Sequence, residues 1–160
     1  MKQFSRTLCA MVAVGVLING SVRANEIAAG ELVISQAWTR ATPGGAKVAG
    51  AYLTIANKGT TPDRLIGATA DFAEKAQLHE MTMKDGVMTM RPVDDGLVID
   101  PGKTVKLAPG GYHLMLVGLK WQLRQGEKVA ITLEFERAGP VGVPVEVEGV
   151  GARGPLNPDD

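Results

Sequence analysis

"KVAITLEFE", residues 128–136, sends Val129, Ile131, Leu133 and Phe135 to one side of the chain and smaller or polar residues to the other. This strict alternation predicts a half-buried strand, because successive side chains of a strand point to opposite faces. Strands with one buried and one solvated face are typical of antiparallel sheets. The stretch therefore predicts an antiparallel β protein.

Similar short runs recur along most of the chain, at residues 32–40, 48–57, 64–70, 76–82, 87–93, 104–107, 112–117 and 143–147. Turn sequences rich in Gly, Pro, Asp and Asn separate them, among them "TPGG", "NKGTTPD", "KDG", "APGG" and "RQGE". Many short strands at this spacing, without a ten-residue helical pattern, predict an all-β sandwich or barrel. We expect a single domain, with a short helix possible only at residues 71–75.

The N-terminal residues are typical of a secretory signal peptide. Lys2 and Arg6 precede an apolar run of eleven residues, 8–18, and "SVRAN" provides small residues at a cleavage site. A membrane span needs roughly 20 apolar residues, so this run is too short. We predict a signal peptide at residues 1–24, a β domain at 25–150 and a flexible tail at 151–160, with no transmembrane segment in the mature chain.

The charge and cysteine content of the mature chain exclude several classes of function. Removal of Lys2, Arg6 and Arg23 leaves 14 basic against 17 acidic residues, which argues against nucleic acid as a partner. The only cysteine, Cys9, lies in the apolar run. The mature chain therefore has no disulfide and no thiolate ligand, and a blue-copper electron carrier, which requires a cysteine ligand, is excluded.

Methionine and histidine are confined to one part of the mature chain. Its five methionines and both histidines lie between positions 79 and 115, and four of the methionines are in "LHEMTMKDGVMTM", residues 78–90. Asp85-Gly86 is a favoured two-residue hairpin turn. That turn would pair Met81 with Met90 and Met83 with Met88 on the face of His79, with Glu80 and Arg91 opposite. A three-residue turn with a bulge would shift this register.

A second cluster lies in "GGYHLMLVG", residues 110–118. His113 and Met115 are two positions apart, so they project from the same face of a strand, opposite Tyr112, Leu114 and Leu116. If the leucine face forms the core, His113 and Met115 point away from it. Trp38 and Trp121 are expected to pack in the core or at its rim.

Soft-metal binding explains this confinement better than packing does. Thioethers are good ligands for Cu(I) and poor ones for Mg²⁺ or Ca²⁺, and imidazole also suits copper. Zinc sites favour Cys, His and carboxylate instead. A single methionine on a strand is usually a flexible core filler. The roles of Met81, Met83 and Met88 stay open between spare ligands, a surface for copper entry and packing, and we favour packing or support of the ligands.

The arrangement of His79, ten residues, Met90 and then His113-x-Met115 resembles the metal motif of the periplasmic copper chaperones of the PCuAC type. The resemblance extends through "AWTRATPGGAKVAGAYLTIANKG", "LHEMTMKDGVMTMRPV" and "LAPGGYHLMLVGLKWQLRQGEKVAITLEFERAG", over most of residues 30–147. One departure is that 22 residues separate Met90 from His113, where the family is associated with 21. We expect the extra residue in the loop "VDDGLVIDPG".

The resemblance implies a cupredoxin-like Greek-key β-sandwich or barrel in the periplasm that holds Cu(I) through His79, Met90, His113 and Met115. It also implies delivery of copper to the CuA centre of cytochrome c oxidase, with an oxidase subunit or another copper-assembly chaperone as partner. We expect the delivery to proceed by ligand exchange, in which stronger donors of the partner replace the neutral ligands. An enzyme is not expected. A copper enzyme would need acid/base groups around an open metal position, and only two histidines are available. No nucleophile triad is recognisable in the sequence either. The alternatives are a periplasmic copper-sequestering resistance protein and a metal-free adhesion or scaffold module.

Overall fold

The computed structural model describes residues 26–156; the predicted signal peptide and residues 157–160 of the predicted tail lie outside them. The described part of the chain contains eleven strands and no helix. The strands are β1 (Ile27–Ala29), β2 (Leu32–Arg40), β3 (Val48–Asn57), β4 (Asp63–Thr69), β5 (Ala73–Lys84), β6 (Val87–Pro92), β7 (Leu97–Ile99), β8 (Thr104–Leu107), β9 (Tyr112–Leu119), β10 (Lys128–Phe135) and β11 (Gly139–Glu148). The prediction of an all-β domain is confirmed.

Seven strands close into a barrel. The hydrogen-bonded order is β2-β11-β10-β4-β5-β9-β3, and β3 pairs again with β2. β2 and β11 are parallel, whereas the other pairs of the ring are antiparallel. The remaining strands are attached at the margins: β1 to β2, β6 to β5, β7 to β4 and β8 to β3. β6 therefore lies outside the ring of seven strands and pairs with the C-terminal half of β5.

The alternation in residues 128–136 gives β10 one buried side and one outer side, as predicted. Ile131 and Leu133 are fully buried in β10, and Phe135 is 3% exposed. The intervening Thr132 and Glu134 are half-buried on the outer side. β10 pairs antiparallel with β11 along its whole length, so the prediction of a half-buried antiparallel strand is confirmed.

The same alternation separates core from surface in the two strands that carry histidine. Leu78 of β5 and Leu114 and Leu116 of β9 point into the barrel, and the last two are fully buried. Each such leucine contributes about 1.5–3 kcal/mol by leaving water. The neighbouring His79, His113 and Met115 point away from the interior of the barrel, as predicted for His113 and Met115, although His113 is itself only 6% exposed.

Three details of the predicted secondary structure are wrong. Residues 71–75 do not form a helix: Asp71 and Phe72 make a turn, and β5 begins at Ala73, which pairs with Leu119. Five residues are too few for a stable helix, and Phe72 and Ala73 are instead buried in the core. The prediction also omitted β1 and β7, and β7 lies within the segment "VDDGLVIDPG" that was expected to be a loop.

The two tryptophans occupy different environments. Trp38 is 3% exposed in the core, whereas Trp121 is 51% exposed and contacts Phe72 at the rim. Residues near the C-terminus contact the barrel: Arg40 Nε donates to the carbonyl of Ala152 at 2.7 Å, and the amide of Leu156 donates to Glu148 at 3.1 Å. In residues 26–156 no helix is long and apolar enough to cross a membrane.

Candidate metal centre

The hairpin of β5 and β6 has the register predicted from the two-residue turn. Asp85 and Gly86 both have positive φ angles, 52° and 75°, as a type I′ turn requires. Met81 lies opposite Met90 and Met83 opposite Met88. The alternative three-residue turn is excluded by this pairing.

The polar residues of the hairpin lie on the face opposite the methionines. Glu80 and Arg91 share this face, as predicted, and Arg91 Nε donates a hydrogen bond to Glu80 Oε2 at 2.8 Å. The hydroxyls of Thr82 and Thr89 are 2.9 Å apart. Tyr112 of β9 also hydrogen-bonds to Glu80. Burial, followed by the charge and hydrogen bond of Glu80, raises the pKa of Tyr112. Glu80 of β5 therefore contacts side chains of both β6 and β9, on the face of the sheet opposite the methionines.

The pairing of β5 with β9 brings the two histidines together. His79 lies directly opposite His113, and their ring centroids are 5.9 Å apart with the planes inclined by 56°. Met115 lies opposite Gln77, one row further along the same face. Two segments that are distant in the sequence thus contribute one imidazole each to a single patch.

The two imidazoles differ in their hydrogen bonds. His113 is 6% exposed, and its Nδ1 lies 3.1 Å from the carbonyl oxygen of Gly111. A carbonyl only accepts, so Nδ1 of His113 carries the hydrogen and Nε2 keeps its lone pair. Nδ1 of His79 is buried without a partner, and it is the only buried side-chain nitrogen or oxygen of residues 26–156 in that condition. Such an atom is costly unless it binds something.

The surroundings of His79 favour the neutral form of its ring. Burial lowers the pKa of His79 below its usual 6.5, the neighbouring His113 lowers it further, and Asp94 opposes both effects. A histidine must be neutral to bind a metal ion. The ring of His79 therefore stays neutral, and able to bind a metal ion, at a lower pH than the ring of an ordinary histidine.

The four residues predicted as ligands lie on one face of three adjacent strands, β6, β5 and β9. His79 and His113 form the middle row, Met115 lies in the row on one side, and Met90 lies in the row on the other. Met81 stands between Met90 and the histidine pair, next to His79 on the same strand. The structure thus places Met81 at least as near to the histidines as Met90, which agrees with the predicted hairpin register and with Met81 as a possible additional ligand.

β3 supplies neighbours of Met115 that the sequence did not indicate. Gly50 lies opposite Met115, and a Cβ at Gly50 would stand 2.7 Å from the hydroxyl of Tyr52. The absence of a side chain therefore allows the ring of Tyr52 to lie over this position. Tyr52 packs on Trp38 at 4.6 Å between centroids, and the guanidinium of Arg40 is 5.8 Å from each ring. The only sequence signal was a glycine inside a strand pattern, which often marks a close approach.

The donors of this face are soft and neutral. No group of three or more His, Cys, Asp or Glu side chains in residues 26–156 is arranged to hold a metal ion. A metal at His79 and His113 would therefore take its remaining ligands from thioethers, which favours Cu(I) over zinc or calcium.

A sequence model of the LpqE-like family, described as "Putative lipoprotein LpqE-like", matches residues 32–147. That range extends from the start of β2 almost to the end of β11. The chain belongs to the LpqE-like family. A protein of Leifsonia xyli subsp. xyli named "Putative lipoprotein Lxx21020" is 40% identical to this LpqE-like protein over 115 residues, which are 71% of this chain and 68% of that protein.

Solved structures confirm the predicted resemblance to PCuAC domains. The structure titled "Copper-bound PCuAC domain from PmoF2" has a TM-score of 0.67 and 31% identity, covering 78% of this chain and 97% of that chain. The structure titled "Solution structure of CuI-DR1885 from Deinococcus Radiodurans" has a TM-score of 0.58 and 31% identity, covering 78% and 81%. This LpqE-like protein therefore has the cupredoxin-like fold of PCuAC domains, in one domain.

Proposed function

We propose that this LpqE-like protein is a metallochaperone that carries Cu(I) as cargo on His79, Met90, His113 and Met115. The observation that carries the proposal is the pairing of His79 with His113, together with the unpartnered Nδ1 of His79. When two imidazoles bind the same ion, each with a distance of about 2 Å from its nitrogen to the metal, their ring centroids are about 5–6 Å apart. The observed separation of 5.9 Å between the ring centroids lies in this range.

The chemistry of the ligands suits a carrier. Two imidazoles and two thioethers are neutral, so they hold a univalent soft ion without the strength of a thiolate. The predicted mature chain contains no cysteine, and its site is therefore independent of disulfide formation in an oxidising compartment. The titles of the PmoF2 and DR1885 structures state that those proteins were solved with copper, which supports Cu(I) as the cargo here.

The exposure of the ligands suggests an order for release. Met90 is 46% exposed, whereas His113 is 6% exposed beneath the same face. Donors of a recipient reach the ion from the side of Met90, so Met90 leaves first and His113 last. A recipient with thiolates would draw the ion from the neutral ligands because a charged soft donor binds Cu(I) more strongly. The ion stays Cu(I) throughout, and one ligand bond forms as another breaks.

We propose that the recipient is the CuA centre of cytochrome c oxidase, reached directly through an oxidase subunit or through another copper-assembly chaperone. This part rests on the PCuAC resemblance alone. Periplasmic location is proposed from the predicted signal peptide, and the word lipoprotein in the name of the Leifsonia relative is consistent with export. The protein transports an ion and catalyses no reaction in this proposal.

A titration of the mature protein with Cu(I) against a chromophoric chelator, without oxygen, tests the carrier site. We expect one tight equivalent, which is lost when His79 and His113 are both changed to Gln. The matched control is Gln77→Ala, on the same face and opposite Met115, which should bind as the unchanged protein does. A protein without competitive binding would overturn the copper proposal and leave an adhesion or scaffold module.

A second experiment separates delivery from sequestration. The Cu(I)-loaded protein is mixed with the soluble CuA-binding domain of an oxidase subunit, and the metal content of each is measured after separation. Transfer supports the delivery role. Retention of copper by the LpqE-like protein, with the recipient still able to take free copper, would favour the copper-resistance alternative.

A further inference from the structure

The hairpin of β5 and β6 carries more thioethers than the proposed site uses. Met81 and Met90 face each other across the two strands, and Met83 and Met88 form a second facing pair nearer the turn. All four share the face of His79. Met90 belongs to the proposed ligand set, so three thioethers remain without a function.

Packing does not account for the outer pair. Met83 is 68% exposed and Met88 is 57% exposed, so neither fills a cavity in the core. Of the two roles that we favoured for the additional methionines, packing therefore does not fit Met83 and Met88, and support of the ligands stays a prediction. Met81 is half-buried between Met90 and the histidines.

The backbone geometry brings the two methionines of each pair close together at their Cα atoms. The amide of Met81 donates to the carbonyl of Gly111 at 3.0 Å, so its backbone hydrogen bonds point toward β9 and away from β6. Met81 and Met90 are therefore a non-hydrogen-bonded pair, and by alternation so are Met83 and Met88. Cα atoms in such pairs are only about 4.5 Å apart. Successive pairs along the face are separated by about 6.8 Å, two residues of strand.

The chemistry of the face is uniform. The polar side chains of the hairpin lie on the opposite face, where Arg91 hydrogen-bonds to Glu80 and Thr82 hydrogen-bonds to Thr89. Between His79 and the turn, the methionine face offers only neutral sulfur donors to a ligand. Four flexible thioethers within one small patch match the preference of Cu(I) and of no hard cation.

We propose that Met81, Met83 and Met88 form a second, weaker Cu(I) site, which accepts the ion near the tip of the hairpin and passes it to His79 and His113 by way of Met90. The proposal rests on the proposed function, because the histidine site is the destination. The step is an exchange of neutral ligands: a bond from copper to Met90 forms as a bond to Met83 or Met88 breaks. No electron or proton is transferred.

Anaerobic titration with Cu(I), followed through the methyl resonances of isotope-labelled methionine and through a chromophoric chelator, tests this site. We expect two equivalents, the second at least about tenfold weaker because it lacks imidazole ligands. The double variant Met83→Leu, Met88→Leu should lose only the weak equivalent and keep the tight dissociation constant within about threefold. The control Val87→Leu, exposed on the other face, should keep both.

The double variant His79→Gln, His113→Gln separates this inference from the carrier proposal. It should lose the tight equivalent and keep the weak one, with the Met83 and Met88 methyl resonances still shifted by Cu(I). A protein that binds one tight equivalent and shows no shift of these resonances at excess copper would overturn the second site alone. Absence of the tight equivalent, with the resonances still shifted, would overturn the carrier site alone.

Discussion

His79 and His113 lie directly opposite each other on β5 and β9, with their rings 5.9 Å apart, although three strands separate them along the chain. Their adjacency depends on one long-range strand pairing, and each is followed two residues later by a methionine on the same face. The site is thus a property of the barrel, and neither cluster forms it alone.

The turn of the hairpin should control the position of Met90. Gly86 has a φ of 75°, and an Ala there would adopt the left-handed region at a cost of roughly 1–2 kcal/mol. We expect Gly86→Ala to increase opening of the hairpin in hydrogen exchange and to weaken Cu(I) binding by up to about tenfold. Gly44→Ala is the control, since it lacks a positive φ and a Cβ there would meet no atom within 4 Å. Equal exchange in both variants would contradict the prediction.

The pKa of His79 can be measured by following its ring resonances with pH in the copper-free protein. We expect a midpoint below 6.5, because burial and His113 both favour the neutral ring. In His113→Gln the midpoint should rise toward 6.5, but only in part, because burial is the larger cause. A midpoint unaffected by His113→Gln would contradict the proposed coupling.

The same shift predicts the pH dependence of stability. With its folded pKa below the unfolded value of 6.5, His79 binds fewer protons folded than unfolded. Its contribution to the free energy of unfolding is fully present above pH 6.5 and is lost as pH falls through the folded pKa. Denaturant unfolding of the copper-free protein from pH 7.5 to 5 should show this decrease, and His79→Gln should reduce it. If the free energy of unfolding of His79→Gln decreased equally, the pH dependence would come from another titratable group.

The exposed methionines and the buried leucines should differ sharply in their effect on stability. Leu114→Ala removes a fully buried side chain and should cost about 2–5 kcal/mol of unfolding free energy. The double variant Met83→Gln, Met88→Gln changes exposed positions and should alter it by less than about 1 kcal/mol. Urea denaturation measures both values. A large loss in the methionine variant would restore the packing explanation.

The ion pair of Glu80 and Arg91 should hold the hairpin in place more than it stabilises the whole fold. The Arg91 side chain is 74% exposed, so Arg91→Gln should cost less than about 1 kcal/mol globally. Its effect should appear as faster hydrogen exchange in β6. Lys128→Gln, which removes an ion pair with Glu146 between β10 and β11, is the control and should leave β6 unchanged. Unaltered exchange in β6 of Arg91→Gln would contradict this role.

The parts of the site that depend on neighbouring residues could be predicted from the sequence. The turn Asp85-Gly86 determines the hairpin register, and the period of two places His113 and Met115 on one face. The pairing of β5 with β9 could not be predicted, because no local signal states which distant strands meet. β1 and β7 were missed because three residues are too few to show a period. The role of Gly50 depends on the ring of Tyr52, which only the tertiary structure positions.

In β5 and β9 the leucines of the core and the donors of the outer face occupy alternate positions of the same strands. Leu78 and Leu114 are paired, and so are His79 and His113 one step away. The outward residues can therefore be replaced by other donors while the inward residues still specify the barrel. For protein engineering, the more exposed outward positions, such as Gln77 and Met115, are those at which donors can be changed with least effect on the buried core.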